Sequence, residues 1–145
     1  MKIDQIIQSW KEDTKIDDLN LDIESTRIPN LHSKYLSFLS DERIRLRGFQ
    51  SQRRTLVGKL KTFYSGSATQ EDLEFLNKEQ FLGKTLKNEI MFNIETDELV
   101  IDIDAKISAQ EVKVMALEEI VKSINNRGYQ IKNAIDWRRL TVGGM

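Results

Sequence analysis

From Leu31 to Tyr64 nothing in the chain stops a helix firmly, and apolar residues recur there at heptad spacing. Leu39, Leu46 and Leu60 share one position of the repeat; Phe49, Leu56 and Phe63 share the other, and two slots of the seam are charged, Glu42 and Arg53. Pro29 is expected to open this helix, because its missing N–H is an orphan at the first helical position. Ser65-Gly66 is expected to close it. Gly48 and Gly58 each cost about 1 kcal/mol relative to Ala, so they either weaken the helix or admit another backbone at close range. At 1.5 Å per residue the rod spans roughly 50 Å. That is too long to wrap around one small core, so a second helix must lie along it.

A partner stands downstream. Val100, Ile103, Ile107, Gln110, Val114, Leu117, Val121 and Ile124 follow alternating spacings of three and four. Asp97 reads as its N-cap, and Asn125-Asn126 with Gly128 as its end. Ile3, Ile6, Ile7 and Trp10 mark a short amphipathic helix at the start. Residues 12–28 read as a polar connector in which Leu19, Leu21 and Ile23 alternate. One or two short helices fit Thr69–Asn93, and Tyr129–Val142 reads as a last helix. Alternation of Ile90, Phe92 and Ile94, then Leu99, Ile101 and Ile103, leaves a short β-hairpin near 90–103 open beside the helical reading. The expected fold is therefore mainly α: two long antiparallel helices with shorter helices at both ends.

Composition narrows the chemistry. A single Pro and seven Gly do not supply the turns of an all-β fold. With no Cys there is no disulfide, no thiolate nucleophile and no Cys-based zinc site. The polar start and the lack of an apolar run near 18 residues lead to the expectation of a soluble, intracellular protein without a membrane span. His32, the only histidine, sits in a polar context, and Asp102 and Asp104 near Glu98 suit a helix dipole better than a metal. No phosphate-binding loop and no nucleophile elbow are present. The reading is a binder rather than an enzyme, with no metal and no cofactor.

Charge gives the binder an address. Arg43–Gly66 holds seven basic side chains and no acid in a chain of net charge −1. The other 15 Lys and Arg face all 23 acids, so the rest of the chain carries −8. On a helix Arg43, Arg47, Arg54 and Lys61 share one face, while Lys59 lies on another. Tyr64 follows, either as a flat stacking surface for a base or as core. A row of cations with an aromatic platform is how single-stranded nucleic acid is held with little sequence preference. Two other readings stay open: a solvated face neutralised by Glu111, Glu118 and Glu119, or an adaptor whose basic face meets an acidic protein. Arg53, on the apolar side, is expected to pair with a glutamate across an interface.

Four stretches carry a family resemblance: MKIDQIIQSWKEDTKID, RIPNLHSKYLSFL, FYSG at 63–66 and NNRGYQIKNAIDWRRLTVGG. In this order the chain resembles the UvsY-type recombination mediators of T-even-like phages, especially those of cyanophages. The resemblance implies a single recombination-mediator domain over 1–145 that forms a ring, hexamer or heptamer, and binds single-stranded DNA. It implies no catalysis, and action in the cytoplasm of the infected host cell. It also implies help in displacing the phage single-strand DNA-binding protein and loading of the UvsX recombinase. The family's DNA-contacting cations precede Tyr-Ser-Gly, which places Lys59 and Lys61 there. Gly58 and Leu60 stand where relatives are often basic, with Arg53-Arg54 as the compensating pair. Leu117, Val121, Ile124, Ile131, Ile135 and Trp137 are the expected assembly residues.

Overall fold

The computed structural model describes residues 1–83 and 85–143. The first apolar stripe folds as α1 (Ile3–Asp13), which buries Ile6 and places Asp4 in its first turn, where a carboxylate suits the dipole. The heptad run becomes α2 (Leu21–Tyr64), and the three-four run becomes α5 (Glu98–Arg138). Between them lie α3 (Gln70–Leu76) and α4 (Ile90–Glu95), and a π-helical turn, Arg139–Gly143, ends the chain's helical course. No strand occurs among the described residues. The hairpin left open at 90–103 is thus replaced by α4 and the start of α5. Asp97 decides between the two: its side chain accepts the amide of Leu99 at 2.9 Å and its carbonyl those of Val100 and Ile101, which starts a helix there.

Two helix boundaries differ from the sequence expectation. The expected connector ends early, because α2 begins at Leu21 and carries Pro29 inside it. Asp17 shapes the entry by accepting the Leu19 amide and the Asn20 side chain, and the Asn20 carbonyl receives the first helical bond from Glu24. Pro29 removes an N–H that would have bonded to Ser25, but both residues are exposed, so the lost bond is not a buried one. Leu21 and Glu24, both buried, hold this first stretch through tertiary contacts. At the other end, α5 passes through Asn125, Asn126 and Gly128, so the last two expected helices are one. A glycine in a helix costs only about 1 kcal/mol, and Arg127 and Ile131, buried on either side of Gly128, outweigh it.

The predicted stop after Tyr64 is present and complete. Gly66 has a φ of 80°, its amide returns to Phe63, and the Ser67 amide returns to Thr62. This is a Schellman closure, which needs a residue at ease in the left-handed region. By contrast, a Cβ at Gly48 or Gly58 would meet nothing within 4 Å, so no other described residue crowds them.

The chain forms two compact units. Unit one holds residues 1–43 and 111 onward; unit two holds Ile44–Gln110. Within unit one, Glu24 meets Arg127 and Arg43 meets Glu118, so α2 and α5 run antiparallel. Its interior contains Ile6, Leu31, Tyr35, Leu39, Leu117 and Ile124. Tyr35 is fully buried, edge-on to Trp10 and Phe38, with its hydroxyl between Ser9 and Asp13. Arg127, 2% exposed, donates to the carbonyls of Asp13, Thr14 and Lys15 and pairs with Glu24. It thus caps the end of α1, whose last carbonyls would otherwise be orphans. Buried Glu42 takes the Met1 amine at 3.5 Å.

Within unit two, Arg53 meets Asp104 and Tyr64 meets Asp97, again an antiparallel pair. Leu60, Phe63, Leu73, Leu76, Ile94 and Val100 form its core. Thr69 and Asp72 exchange bonds in a capping box that starts α3. That fixes which faces of α3 turn in, Leu73 and Leu76, and which turns out, Phe75.

Candidate nucleic-acid interface

The seven cations of the basic segment separate into two sets. Arg43 pairs with Glu118 at 3.0 Å in unit one. In unit two Arg53 pairs with Asp104 at 2.6 Å, and Lys59 with Asp72 at 3.1 Å. Arg53 therefore finds an aspartate of its own chain. Of the three glutamates expected to face the basic helix, Glu118 does so. Glu111 and Glu119 are exposed and take no part in an ion pair among the described residues. The second set is Arg45, Arg47, Arg54 and Lys61. All four are exposed, and none has a carboxylate partner among the described residues.

Arg47, Arg54 and Lys61 are spaced by seven, close to two helical turns, so they project from one face at intervals of about 10 Å. Arg45 lies toward another side. The free cations thus form a track on α2 within unit two, and Lys59 is not in it. Its ammonium rests 4.9 Å from the Phe75 ring and on Asp72, and ties α2 to α3. The Asp72 carboxyl is held below its ordinary range by the Thr69 amide first and by Lys59.

Tyr64 belongs to the packing of unit two. Its ring meets Phe63 and Phe81 edge-on at 5.0 and 5.3 Å, and its hydroxyl donates to Asp97 at 2.7 Å. Burial, then the bond to Asp97, pushes its hydroxyl up to about 12. The exposed aromatic of α3 is Phe75, 56% exposed beside Lys59. Sequence reasoning passed over it, although Leu73 and Leu76 at i, i+3 leave Phe75 on the outer face.

The expected assembly residues also divide. Leu117, Ile124 and Ile131 are interior to unit one, Val121 and Ile135 are half-buried, and Trp137 is 68% exposed. Leu140 and Val142, a few residues on, are exposed as well, and so is Leu19 in the turn ahead of α2. Arg138 donates to the Asp18 carbonyl, which holds the end of α5 against the entry to α2.

Chemically, unit two offers cations without carboxylate partners among the described residues, and unit one offers exposed apolar side chains. No group of three or more His, Cys, Asp or Glu that could hold a metal ion occurs among the described residues. No helix among them is long and apolar enough to cross a membrane.

Comparison with known proteins bears on the same features. Residues 9–144 match the family described as recombination, repair and ssDNA binding protein UvsY. Crystal structures of the bacteriophage T4 recombination mediator protein UvsY share the fold. One superposes with a TM-score of 0.84 at 20% identity, covering 97% of this chain and 99% of that one. Another lattice form gives 0.84 at 21% identity over 97% and 98%, and a third 0.83 at 20% over 95% and 99%. No curated protein sequence matches the chain.

Proposed function

Because the chain belongs to the UvsY family of recombination, repair and single-stranded-DNA-binding proteins, we propose that it is a non-catalytic recombination mediator. It binds single-stranded DNA along α2 as a ring of identical subunits, hexamer or heptamer. It helps displace the phage single-strand DNA-binding protein and loads the UvsX recombinase on the cleared strand, in the cytoplasm of the infected host cell. The whole chain acts as one mediator domain, since α2 and α5 each supply residues to both units.

The observation that carries this reading is the track of Arg47, Arg54 and Lys61, exposed and without carboxylate partners among the described residues. An anionic body would neutralise such a row cheaply, as it does Arg43, Arg53 and Lys59. Leaving it bare suits a phosphate backbone. Repetition around a ring strengthens it: each further grip is made at high effective concentration, so weak contacts per subunit give tight overall binding. Trp137, Leu140 and Val142, exposed at the end of α5, supply apolar area for assembly.

The test is the salt dependence of oligonucleotide binding by the intact protein. Three cations on phosphates predict a slope of log affinity against log salt of roughly −2 for each engaged subunit. A flat response would remove the DNA reading and favour an adaptor with an acidic protein partner.

A further inference from the structure

One cleft of unit two continues the track beyond the basic helix. It is an open depression of about 500 Å³ lined by Lys61, Thr62, Ser65, Lys87, Ile90 and Met91. That volume falls in the range, about 300–1,000 Å³, of sites that take small molecules. Lys61 is the last cation of the track. Ser65 stands one helical turn beyond it and so prolongs the same line. Lys87 comes from the segment ahead of α4 and lines the same depression. Like Lys61, it is exposed and has no ion pair among the described residues. Two ammonium groups therefore flank one depression with no carboxylate in its lining. The two cations give the depression a positive field that draws anions. The floor is apolar: Met91 is 48% exposed and Ile90 half-buried.

We propose that Lys87 holds a phosphate of the bound strand jointly with Lys61, and that Ile90 and Met91 lie against the attached sugar and base. The occupant is one nucleotide of the single strand that passes along Arg47, Arg54 and Lys61. The charge of the two lysines selects the phosphate, and the apolar floor favours a nucleotide over a bare inorganic anion. The assignment rests on the DNA reading above and adds to it a contact from outside the basic segment. A count of charge along the sequence does not reveal this contact, because Lys87 lies in a stretch of mixed charge with Lys84 and Glu89.

The test uses the full chain and a labelled oligo-dT strand, with affinity read by fluorescence anisotropy over a salt series. Lys87→Ala should weaken binding roughly fivefold to tenfold near 50 mM salt and make the slope shallower by about 0.7 for each engaged subunit. Lys87→Arg should restore most of the loss. Lys122→Ala, an exposed lysine of unit one, should change neither quantity. Because both lysines hold one phosphate, Lys61→Ala with Lys87→Ala should cost less than the product of the two single losses. The proposal is overturned if Lys87→Ala binds like the parent while Arg54→Ala is weakened; the DNA reading then stands without it. It is overturned equally if Lys87→Ala and Lys122→Ala lose the same amount, or if the two lysine losses multiply. If Arg54→Ala and Lys87→Ala both bind like the parent, the track itself is wrong.

Discussion

Asp97 serves three donors at once. Its carboxylate takes the Leu99 amide at the start of α5, the Tyr64 hydroxyl at the end of α2 and the Lys78 ammonium at 3.2 Å. Burial by itself raises its pKa, and these three donors outweigh burial and hold it below the ordinary 3.8. Removing one partner of a buried charged pair costs about 3–5 kcal/mol. Lys78 is partly exposed, so Asp97→Ala should cost about 3 kcal/mol, read as a lower urea midpoint. The sign of the pH dependence follows. The unfolded chain protonates Asp97 more readily than the folded one, so this stabilisation is complete above pH 3.8 and is lost as pH falls through the depressed folded value. Tyr35 and Tyr64 act at the other end. Both are raised from 10.0 to about 12, first by burial. The unfolded hydroxyls ionise sooner, so that contribution is complete below pH 10 and lost as pH rises toward 12. A urea midpoint that stays level through both windows would contradict this account.

At the scale of elements, α2 and α5 were legible in the sequence because their seams repeat with a period the chain cannot use for anything else. Of the second seam, Val100, Ile103, Gln110, Val114, Leu117 and Ile124 are all buried. Leu117 is fully enclosed in unit one, so Leu117→Asp should abolish folding of that unit, because a bare carboxylate there has no partner to offset its desolvation. Circular dichroism with parent-like helix content and melting temperature would show the seam misplaced. The illegible parts are those where tertiary contacts overrule a local signal. Pro29 and Gly128 are breakers by rule, yet both lie inside helices, carried by the burial of Leu21 and Glu24 and of Arg127 and Ile131. Ion pairing was legible only in part: Glu118 was among the acids expected to face the basic helix, but which cation it would take was not. Spacing puts Arg43 in the row with Arg47, Arg54 and Lys61, and only the position of Glu118 takes it out. The same holds for Lys59, which precedes Tyr-Ser-Gly by sequence but faces Asp72 and Phe75 in space.

The molecule as a whole spreads acid widely, while Arg43–Gly66 holds seven cations and no acid. On the proposed DNA reading a single copy would make three or four contacts to phosphate, and repetition around the proposed ring would add to them. Assembly is assigned to the exposed apolar end of α5, so Trp137→Glu should lower the native particle mass while the helical signal is kept. An unchanged mass would move the interface elsewhere. The central claim is that the bare track on α2 grips the strand. Its most direct measure is the salt slope of oligo-dT binding for the parent and for Arg47→Ala/Arg54→Ala/Lys61→Ala at equal particle mass. The account predicts a slope shallower by about 2 for each engaged subunit in the triple variant; identical slopes in the two proteins would contradict it.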